Sequence, residues 1–304
     1  MTGQNRVPPV AHSFYVRSAN LMTYESDGKA VGRYDAAHCT AGSGPNRGAA
    51  KMAILAFGQP RRYAQSGVYE GYGTFTTNMQ RLTGGQIVSV TESFVDGYMA
   101  GLNGSGCPAL RLLLGTSNSQ ICGSSAEDEQ HYDPGCTRPD AGQAWAEIGN
   151  SVYDYVVNVK HWQNQILVGA ADDIETGSGQ YHSGNYVYDS YSATVDFLDA
   201  FDAYDSNNLL MFDFGEAVPT ADRWSVGDIY QVAYGRRHDY PIPEIYLPTQ
   251  TCRWTGYTTF RGVSCGPSSV AGYARDNGVP IFFPGEITQC ITTTAATTGD
   301  VPSG

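Results

Sequence analysis

An acidic run directly follows an apolar stretch near the middle of the chain. Residues 165–168 (Gln-Ile-Leu-Val) are typical of a buried β-strand, and residues 169–175 read Gly-Ala-Ala-Asp-Asp-Ile-Glu. Active sites of α/β barrels and open sheets are built at the carboxyl ends of the strands. A strand period of two places Asp173 and Glu175 on one face, while Asp172 points away as a structural hydrogen-bonding group. Two carboxylates on one face suit acid–base chemistry on a glycosidic bond. The alternative is a structural cluster that caps neighbouring loops.

Further polar groups stand where other apolar runs end. They are Gln59, Ser117, Asn118, Asp213, Glu216, Glu244 and Glu286. In a barrel these groups converge on one axis, where crowding and burial raise carboxyl pKa values. A protonated carboxyl can then donate to a leaving oxygen while an ionised neighbour acts as base or nucleophile.

Roles follow from these positions. The predicted catalytic residues are Glu175, Asp173, Glu216 and Glu244. The predicted substrate-binding residues are Gln59, Asn118, Asp213, Glu286 and Tyr246, the last as a sugar-stacking ring. Two alternatives stay open: Glu216 and Glu244 form ion pairs with Arg236 or Arg237, or the acidic groups bind calcium through oxygen ligands. No metal or cofactor is predicted.

Apolar runs and helical patterns alternate along the chain and would position these residues. Short runs typical of strands covered on both faces occur at residues 13–16, 52–57, 110–114, 165–168, 209–212, 243–246 and 280–283. Helical spacing marks residues 87–102, 141–160, 191–204, 224–234 and 268–277, with Asp140 as an N-cap and Gly235 as a C-cap. This alternation predicts an α/β fold with a parallel sheet.

The strand number favours one architecture. About seven strands over this length favour a TIM-type (β/α) barrel over a doubly wound sheet. A clear eighth strand is missing after Phe283, so the barrel is expected to be incomplete or irregularly closed. We expect one domain over residues 1–290 and a Thr-rich linker or disordered tail over residues 291–304.

Composition and charge exclude some classes of partner. The 304 residues carry a formal net charge of −12, which disfavours nucleic-acid binding and anionic membrane surfaces. No run approaches the ~20 apolar residues of a membrane span. The 21 tyrosines and four tryptophans, together with many small polar residues, are typical of secreted proteins that face polysaccharides. The sequence thus favours a polysaccharide or cell-wall glycan as the partner and leaves the oligomeric state open.

The seven cysteines indicate an oxidising compartment. None forms a Cys-x-x-Cys pair, which disfavours zinc ribbons and thioredoxin-type sites. Their position in loops rich in Gly, Pro and Ser favours disulfides. Cys122 with Cys136 and Cys252 with Cys265 are the expected local pairs, and the odd total leaves at least one cysteine over. The sequence also lacks a Gly-x-Ser-x-Gly nucleophile elbow and a His-Glu-x-x-His zinc motif.

Several short motifs resemble those of known proteins. Asp173-Ile174-Glu175 resembles the strand-four Asp-x-Glu of family 25 glycoside hydrolases, the lysozyme-like muramidases. It is less similar to the Asp-x-Asp-x-Glu of family 18 chitinases, because Ala171 departs from that pattern. By this resemblance Glu175 would be the general acid, and Asp173 would orient or stabilise.

A wider set of motifs resembles those of uncharacterised secreted bacterial proteins with a glycosidase-like barrel. The motifs are Phe-Gly-Gln-Pro (57–60), Gly-Thr-Ser-Asn (115–118), Gly-Gln-Ala-Trp (142–145), Asp-Ile-Glu (173–175), Phe-Gly-Glu-Ala (214–217) and Pro-Glu-Ile-Tyr (243–246). The resemblance implies a secreted glycoside-hydrolase-like protein. The alternative is a non-catalytic carbohydrate-binding or extracellular structural protein on the same scaffold, because a fold does not fix function.

Overall fold

The structure is a computed structural model, and it describes the greater part of the chain. The described residues are 11–38, 52–65, 68–75, 80–105, 107, 109–118, 137–176, 180–181, 184–185, 189–216, 224–236, 238–245, 252–254, 259–260, 263–264, 269–281 and 287–288.

Strands and helices alternate along the described residues. The strands are β1 (Ala11–Tyr15), β2 (Met52–Ala56), β3 (Gln59–Gln65), β4 (Val68–Phe75), β5 (Arg81–Thr83), β6 (Leu110–Ser117), β7 (Ile166–Asp173), β8 (Gln180–Tyr181), β9 (Gly184–Asn185), β10 (Leu210–Asp213), β11 (Asp239–Pro241), β12 (Glu244–Ile245), β13 (Thr259–Phe260), β14 (Val263–Ser264) and β15 (Ile287–Thr288). The α-helices are α1 (Leu21–His38), α2 (Gly84–Leu102), α3 (Arg138–Asp154), α4 (Tyr191–Tyr204), α5 (Val226–Ala233) and α6 (Val270–Asp276), and a π-helix at Tyr155–Val159 continues α3. Among the described helices, none has the length and apolar character to cross a membrane.

The main sheet is parallel and follows chain order. Its six strands lie in the order β1-β2-β6-β7-β10-β11, and every pair is parallel. A doubly wound sheet reverses its strand order at a switch point, and this sheet has no such reversal among its six strands. The predicted α/β fold with a parallel sheet is therefore confirmed.

Both faces of the main sheet are buried, against different partners. Alternate strand residues such as Ala53, Leu55 and Leu112 join the large core that also contains the helix side chains. The residues between them form a second core from strands and their ends alone, which we name the strand-only core. Its members are Met52, Ile54, Ala56, Leu113, Ala171, Phe212, Phe214 and Ile242. The strand period of two separates the two sets.

The sheet curls towards the strand-only core. A Cβ atom added at Gly115 of β6 would lie 2.9 Å from Ile54 Cγ2 and 3.2 Å from the ring of Phe214. Ile54 belongs to β2 and Phe214 follows β10, so side chains from strands that are not neighbours meet over β6. A flat sheet would hold these two side chains apart, because neighbouring strands lie about 4.8 Å from each other.

The last strands lie close to the first one. Strand β12 follows β11 after two residues and pairs in parallel with β15. The Cα atoms of β15 approach those of β1 to within 8 Å. The two ends of the chain's strand series therefore lie near each other.

Helices α1 and α2 cross with their backbones in contact. A Cβ atom at Gly28 of α1 would lie 2.0 Å from the carbonyl oxygen of Phe94, and one at Gly97 of α2 would lie 2.0 Å from that of Glu25. Gly32 and Gly101, one turn further along each helix, repeat this contact at 2.2 and 2.3 Å. Four glycines are required at this crossing because the approach leaves no space for a methyl group.

Several predicted boundaries shift. Strand β7 continues to Asp173, so the acidic run begins within the strand. Helix α3 begins earlier than predicted, and Thr137 rather than Asp140 is its N-cap, with its Oγ1 accepting from the Asp140 N–H at 3.2 Å. Tyr234 rather than Gly235 is the C-cap of α5. Helix α4 spans 191–204 as predicted.

Two cysteines lie within the described residues. They are Cys107 and Cys252. The other five cysteines lie outside the described part of the chain, as does the expected Cys122–Cys136 pair. The pairing itself stays a prediction.

Candidate functional site

Three of the four small sheets among the described residues follow the carboxyl end of a parallel strand. Hairpin strands β3–β5 follow β2, the β8–β9 pair follows β7, and the β13–β14 pair follows β12. Each of them pairs only with itself among the described residues. This edge is therefore where the chain departs from the regular alternation of strand and helix.

Asp173 is the last residue of β7, at this edge. It lies opposite Ser117 of β6 in the strand register. It also shares the face of Ala171, which belongs to the strand-only core. Its side chain is half-buried, with Oδ1 shielded from solvent. Asp173 and Ser117 therefore rise from neighbouring strands above the strand-only core.

The backbone of Glu175 is fixed by the side chain of Asn118. The Glu175 N–H donates to Asn118 Oδ1 at 2.9 Å, and Asn118 Nδ2 donates to the Glu175 carbonyl oxygen at 3.0 Å. The same Nδ2 lies 3.3 Å from Thr194 Oγ1 of α4. Asn118 is fully buried, so its side chain has no exposed surface with which to contact a substrate. It acts instead as a positioning residue for Glu175.

The strand ends of β7 and β10 touch through a glycine. A Cβ atom at Gly215 would lie 2.2 Å from the Ile174 carbonyl oxygen, so only glycine fits this contact. Ile174 is buried in the core that faces the helices. Because β7 ends at Asp173, the period of two does not extend to Glu175, and the predicted common face of Asp173 and Glu175 does not follow from the strand.

Glu216 follows this contact and forms an ion pair. Its Oε2 lies 3.6 Å from Nη1 of Arg253, and both side chains are partly exposed. The sequence left an ion pair open for Glu216, with Arg236 or Arg237 as partner. Arg236 instead contacts Asp199, Asp202 and Asp239, and Arg237 lies outside the described residues.

A buried acidic pair lies behind the edge, on the face towards the helices. Asp172 of β7 and Asp213 of β10 are register partners and are 0% and 3% exposed. Neither oxygen of Asp172 has a hydrogen-bond partner among the described residues, so the predicted hydrogen-bonding role is not observed. Burial raises the pKa of Asp172 well above its ordinary value, and the charges of Asp213 and then Asp189 raise it further. Burial and the neighbouring carboxylates therefore favour the neutral form of Asp172.

Asp213 also differs from its predicted role. Its Oδ1 accepts a hydrogen bond from the Gly215 N–H at 2.9 Å, which holds the turn after β10. Because its side chain is buried on the helix-facing side, Asp213 supports the strand end and does not present its carboxylate beside Asp173.

Arginine side chains neutralise the neighbouring carboxylate. Asp189 receives two hydrogen bonds from Arg138 at the start of α3, at 2.9 and 3.2 Å. Burial raises the pKa of Asp189, while the hydrogen bond and charge of Arg138 and the charge of Arg61 oppose that rise. Arg61 is buried and also donates to Gln59 Oε1. Gln59 was predicted to bind substrate, and its side-chain oxygen already accepts this hydrogen bond from Arg61.

Some predicted residues cannot be placed fully. The structure describes the backbone of Glu244 in β12 and not its side chain, and Tyr246 and Glu286 lie outside the described residues. Sequence reasoning missed Arg61, Arg138 and Asp189, which lie outside the apolar runs that marked the strand ends. The described residues contain no group of three or more His, Cys, Asp or Glu side chains that could hold a metal ion.

Comparisons with known proteins identify no family. No family model matches the chain, so none supports the resemblance to family 25 or family 18 glycoside hydrolases. No curated protein matches either. Among solved structures, the chain is similar to a cycloisomaltooligosaccharide glucanotransferase from Paenibacillus sp. complexed with cycloisomaltoheptaose. That match has 10% identity and a TM-score of 0.36, and it covers 83% of this chain and 36% of that one.

A second solved structure is similar at a comparable level. It is a mandelate racemase/muconate lactonizing enzyme-like protein from Roseovarius sp., with 11% identity and a TM-score of 0.31. The match covers 93% of this chain and 66% of that one. At these TM-scores neither likeness carries an argument about fold or function.

Proposed function

We propose that the chain is a glycoside-hydrolase-like protein that acts on a polysaccharide or cell-wall glycan at the carboxyl edge of its main sheet. The observation that carries this proposal is the placement of Asp173, which stands at that edge above the strand-only core beside Ser117. Glu175 follows two residues later, with its backbone fixed by Asn118. Paired carboxylates at this edge are the groups that glycosidic bond cleavage requires.

The proposal includes a closed, irregular (β/α) barrel. A core made of strand side chains alone forms when a sheet curls on itself, and the approach of both Ile54 and Phe214 to the space over Gly115 supports such curling. Strand order without reversal and the approach of β15 to β1 support the same architecture. In this barrel β11 and β12 act as one strand, which pairs with β10 through its first half and with β15 through its second.

The proposed roles divide between the two carboxylates. Glu175 protonates the leaving glycosidic oxygen, and Asp173 is the ionised partner that stabilises positive charge on the sugar ring. Glu216 keeps its partly exposed ion pair with Arg253. In this scheme it is a second carboxylate that assists the general acid Glu175. The raised pKa of the buried Asp172 favours its neutral form, which leaves Asp173 and Glu175 as the carboxylates for the proposed chemistry.

We place the protein outside the cell. Seven cysteines without a Cys-x-x-Cys pair support disulfides and an oxidising compartment. The net charge of −12 supports a neutral or polar glycan over a nucleic acid as partner.

The test is release of reducing ends from peptidoglycan, chitin, α-glucan and β-glucan by four proteins. These are the wild type, Glu175→Gln, Asp173→Asn and Glu147→Gln, the last a matched control on an exposed carboxylate of α3. We expect release by the wild type and by Glu147→Gln, and a loss of at least about a hundredfold in the two site variants. Unchanged release by Glu175→Gln would remove Glu175 as the acid. Glycan binding without release by the folded wild type would favour the non-catalytic carbohydrate-binding alternative.

A further inference from the structure

The chain contains two Asn-Gly dipeptides, and both lie on its described surface. Asn103-Gly104 directly follows α2 and Asn277-Gly278 directly follows α6, and all four residues are exposed. In such a dipeptide the asparagine side chain can react with the backbone nitrogen that follows it, because glycine has no side chain to hinder the approach. The two dipeptides share this chemistry and differ in the contacts that hold them.

The Asn103-Gly104 turn is loosely held. Asn103 is the C-cap of α2 in the left-handed conformation, with φ 47° and ψ 44°, and Gly104 continues the turn with φ +73°. Within the described part of the chain, neither the side-chain amide of Asn103 nor the N–H of Gly104 makes a hydrogen bond. The nitrogen reaches the side chain when the peptide group between these two residues rotates. The backbone bond that opposes this rotation is the one from the Ser105 N–H to the Leu102 carbonyl oxygen, at 3.0 Å.

The Asn277-Gly278 turn is held by hydrogen bonds on both reacting groups. Nδ2 of Asn277 donates to the Tyr273 carbonyl oxygen at 2.9 Å. The Gly278 N–H donates to the Arg275 carbonyl oxygen at 3.2 Å. Both bonds must open before the nitrogen of Gly278 reaches the side chain, so local opening is costlier here than at Asn103. The chain thus carries a protected copy of the same dipeptide.

We propose that Asn103-Gly104 is a self-modification site, at which the folded chain converts Asn103 to aspartate and isoaspartate with water as the co-reactant. The Gly104 nitrogen attacks Cγ of Asn103 and forms a C–N bond, while the side-chain nitrogen takes the displaced proton and leaves as ammonia. Water then opens the cyclic imide. Breaking the new C–N bond gives aspartate, and breaking the original peptide C–N bond gives isoaspartate.

The site lies away from the carboxyl edge. Asn103 ends α2 and precedes β6, whose first residue is Leu110, whereas Ser117 at the other end of β6 lies beside Asp173. Each conversion adds a carboxylate to the C-terminal end of α2, where the helix carbonyls already carry partial negative charge. We therefore expect the modified chain to be less stable and its carboxyl edge to be unchanged. The proposal is independent of the proposed function.

The test follows both dipeptides in the wild-type chain during incubation at mildly alkaline pH, where the attacking nitrogen loses its proton more readily. Peptide mapping by liquid chromatography and mass spectrometry measures the fraction of aspartate and isoaspartate at Asn103 and at Asn277. We expect Asn103 to convert at least about tenfold faster than Asn277 in the folded protein. In urea the two rates are expected to become similar, because unfolding removes the hydrogen bonds that protect Asn277.

Two matched variants give a second measurement. Ion-exchange chromatography of the aged wild type is expected to show a main acidic species that is lost in Asn103→Gln and kept in Asn277→Gln, because the longer Gln side chain forms its imide much more slowly. Equal conversion of the two asparagines in the folded protein, or faster conversion of Asn277, overturns the proposal. A folded chain in which Asn103 does not convert overturns it as well. Thermal denaturation checks that both variants are folded, and if one is not, the peptide map of the wild type decides.

Discussion

At the residue scale, Asp172 makes the stability of the chain depend on pH. Its pKa in the folded state is raised by burial first and by Asp213 and Asp189 next. The unfolded chain ionises Asp172 at a lower pH than the folded chain does. Stability from this group is therefore complete below the unfolded pKa and is lost as pH rises towards the folded pKa. We predict that Asp172→Asn, a neutral isostere, removes this group's contribution to the loss of stability with rising pH. The variant is then expected to be more stable than wild type above neutral pH.

The measurement is urea denaturation of both proteins over a pH series. Asp276→Asn is the control, because Asp276 is exposed and its pKa is lowered by Arg275. Its stability contribution has the opposite sign, present above the unfolded pKa and lost as pH falls. A wild-type stability that stays flat with pH, or a parallel slope in Asp172→Asn, contradicts the role given to Asp172.

The amide of Asn118 carries a second residue-scale prediction. Asn118→Ala leaves the Glu175 N–H and carbonyl without their side-chain partner in a buried position. We expect a loss of about 2 kcal/mol in unfolding free energy, since unsatisfied buried backbone groups are costly. Asn158→Ala, which removes one exposed hydrogen bond from its Nδ2 to Asp154 Oδ1, is expected to cost less than about 1 kcal/mol. Chemical denaturation measures both, and equal losses would show that Asn118 is not a special support.

Sequence reasoning located Asp173 and Glu175 but not the groups that support them. The acidic run after an apolar strand marks the edge of a sheet, and the structure places it there. Arg138 and Asp189 meet across residues distant in the chain, and no short-range pattern indicates such a pair. Asn118 was found as a polar group at a strand end, whereas its direction follows from the position of Glu175 and α4.

At the element scale, the crossing of α1 and α2 depends on four glycines. We predict that Gly28→Ala or Gly97→Ala lowers the unfolding free energy by about 3 kcal/mol, because a methyl group 2.0 Å from a carbonyl oxygen forces the helices apart. Gly85→Ala is the matched control in the first turn of α2, where a Cβ atom would have no neighbour within 4 Å. It is expected to stabilise by about 0.5–1 kcal/mol. Thermal and urea denaturation decide, and a neutral Gly28→Ala would mean that the helices lie further apart.

The same glycines explain why the sequence did not predict α1. Helical periodicity is recognised from apolar side chains on the inner face, and α1 places Gly28 and Gly32 there. Helix α4, by contrast, was predicted over its full range, since Phe197, Leu198 and Phe201 mark its buried face. The short hairpins were missed because their strands contain no run of apolar residues that would mark them in the sequence.

At the scale of the whole molecule, the end of the domain can be tested by truncation. Removal of residues 291–304 is predicted to leave the melting temperature unchanged, because β15 stays complete. Removal of residues 287–304 takes away the parallel partner of β12, and we expect melting to fall by at least about 2–4 °C. Equal melting of the two truncated chains would contradict a contribution of β15 to the fold.

The parallel main sheet was accessible from sequence because each of its strands lies beside the preceding strand of that sheet. The order of the main-sheet strands along the chain is then the same as their order in the sheet. The alternation of strand and helix is enough to predict such a parallel sheet. Curvature was not accessible, since it depends on side chains from separate strands that meet at Gly115.

The hairpins at the carboxyl edge divide the chain into two kinds of sequence. The strands of each hairpin pair only with one another among the described residues, while the main sheet and its helices share one large core. Selection on a hairpin residue therefore acts mainly through what that residue contacts. Selection on a scaffold residue acts mainly through whether the chain folds. Ligand recognition can therefore change through the hairpins while the scaffold stays the same. Directed evolution of new recognition should begin with a library of variants confined to the three hairpins.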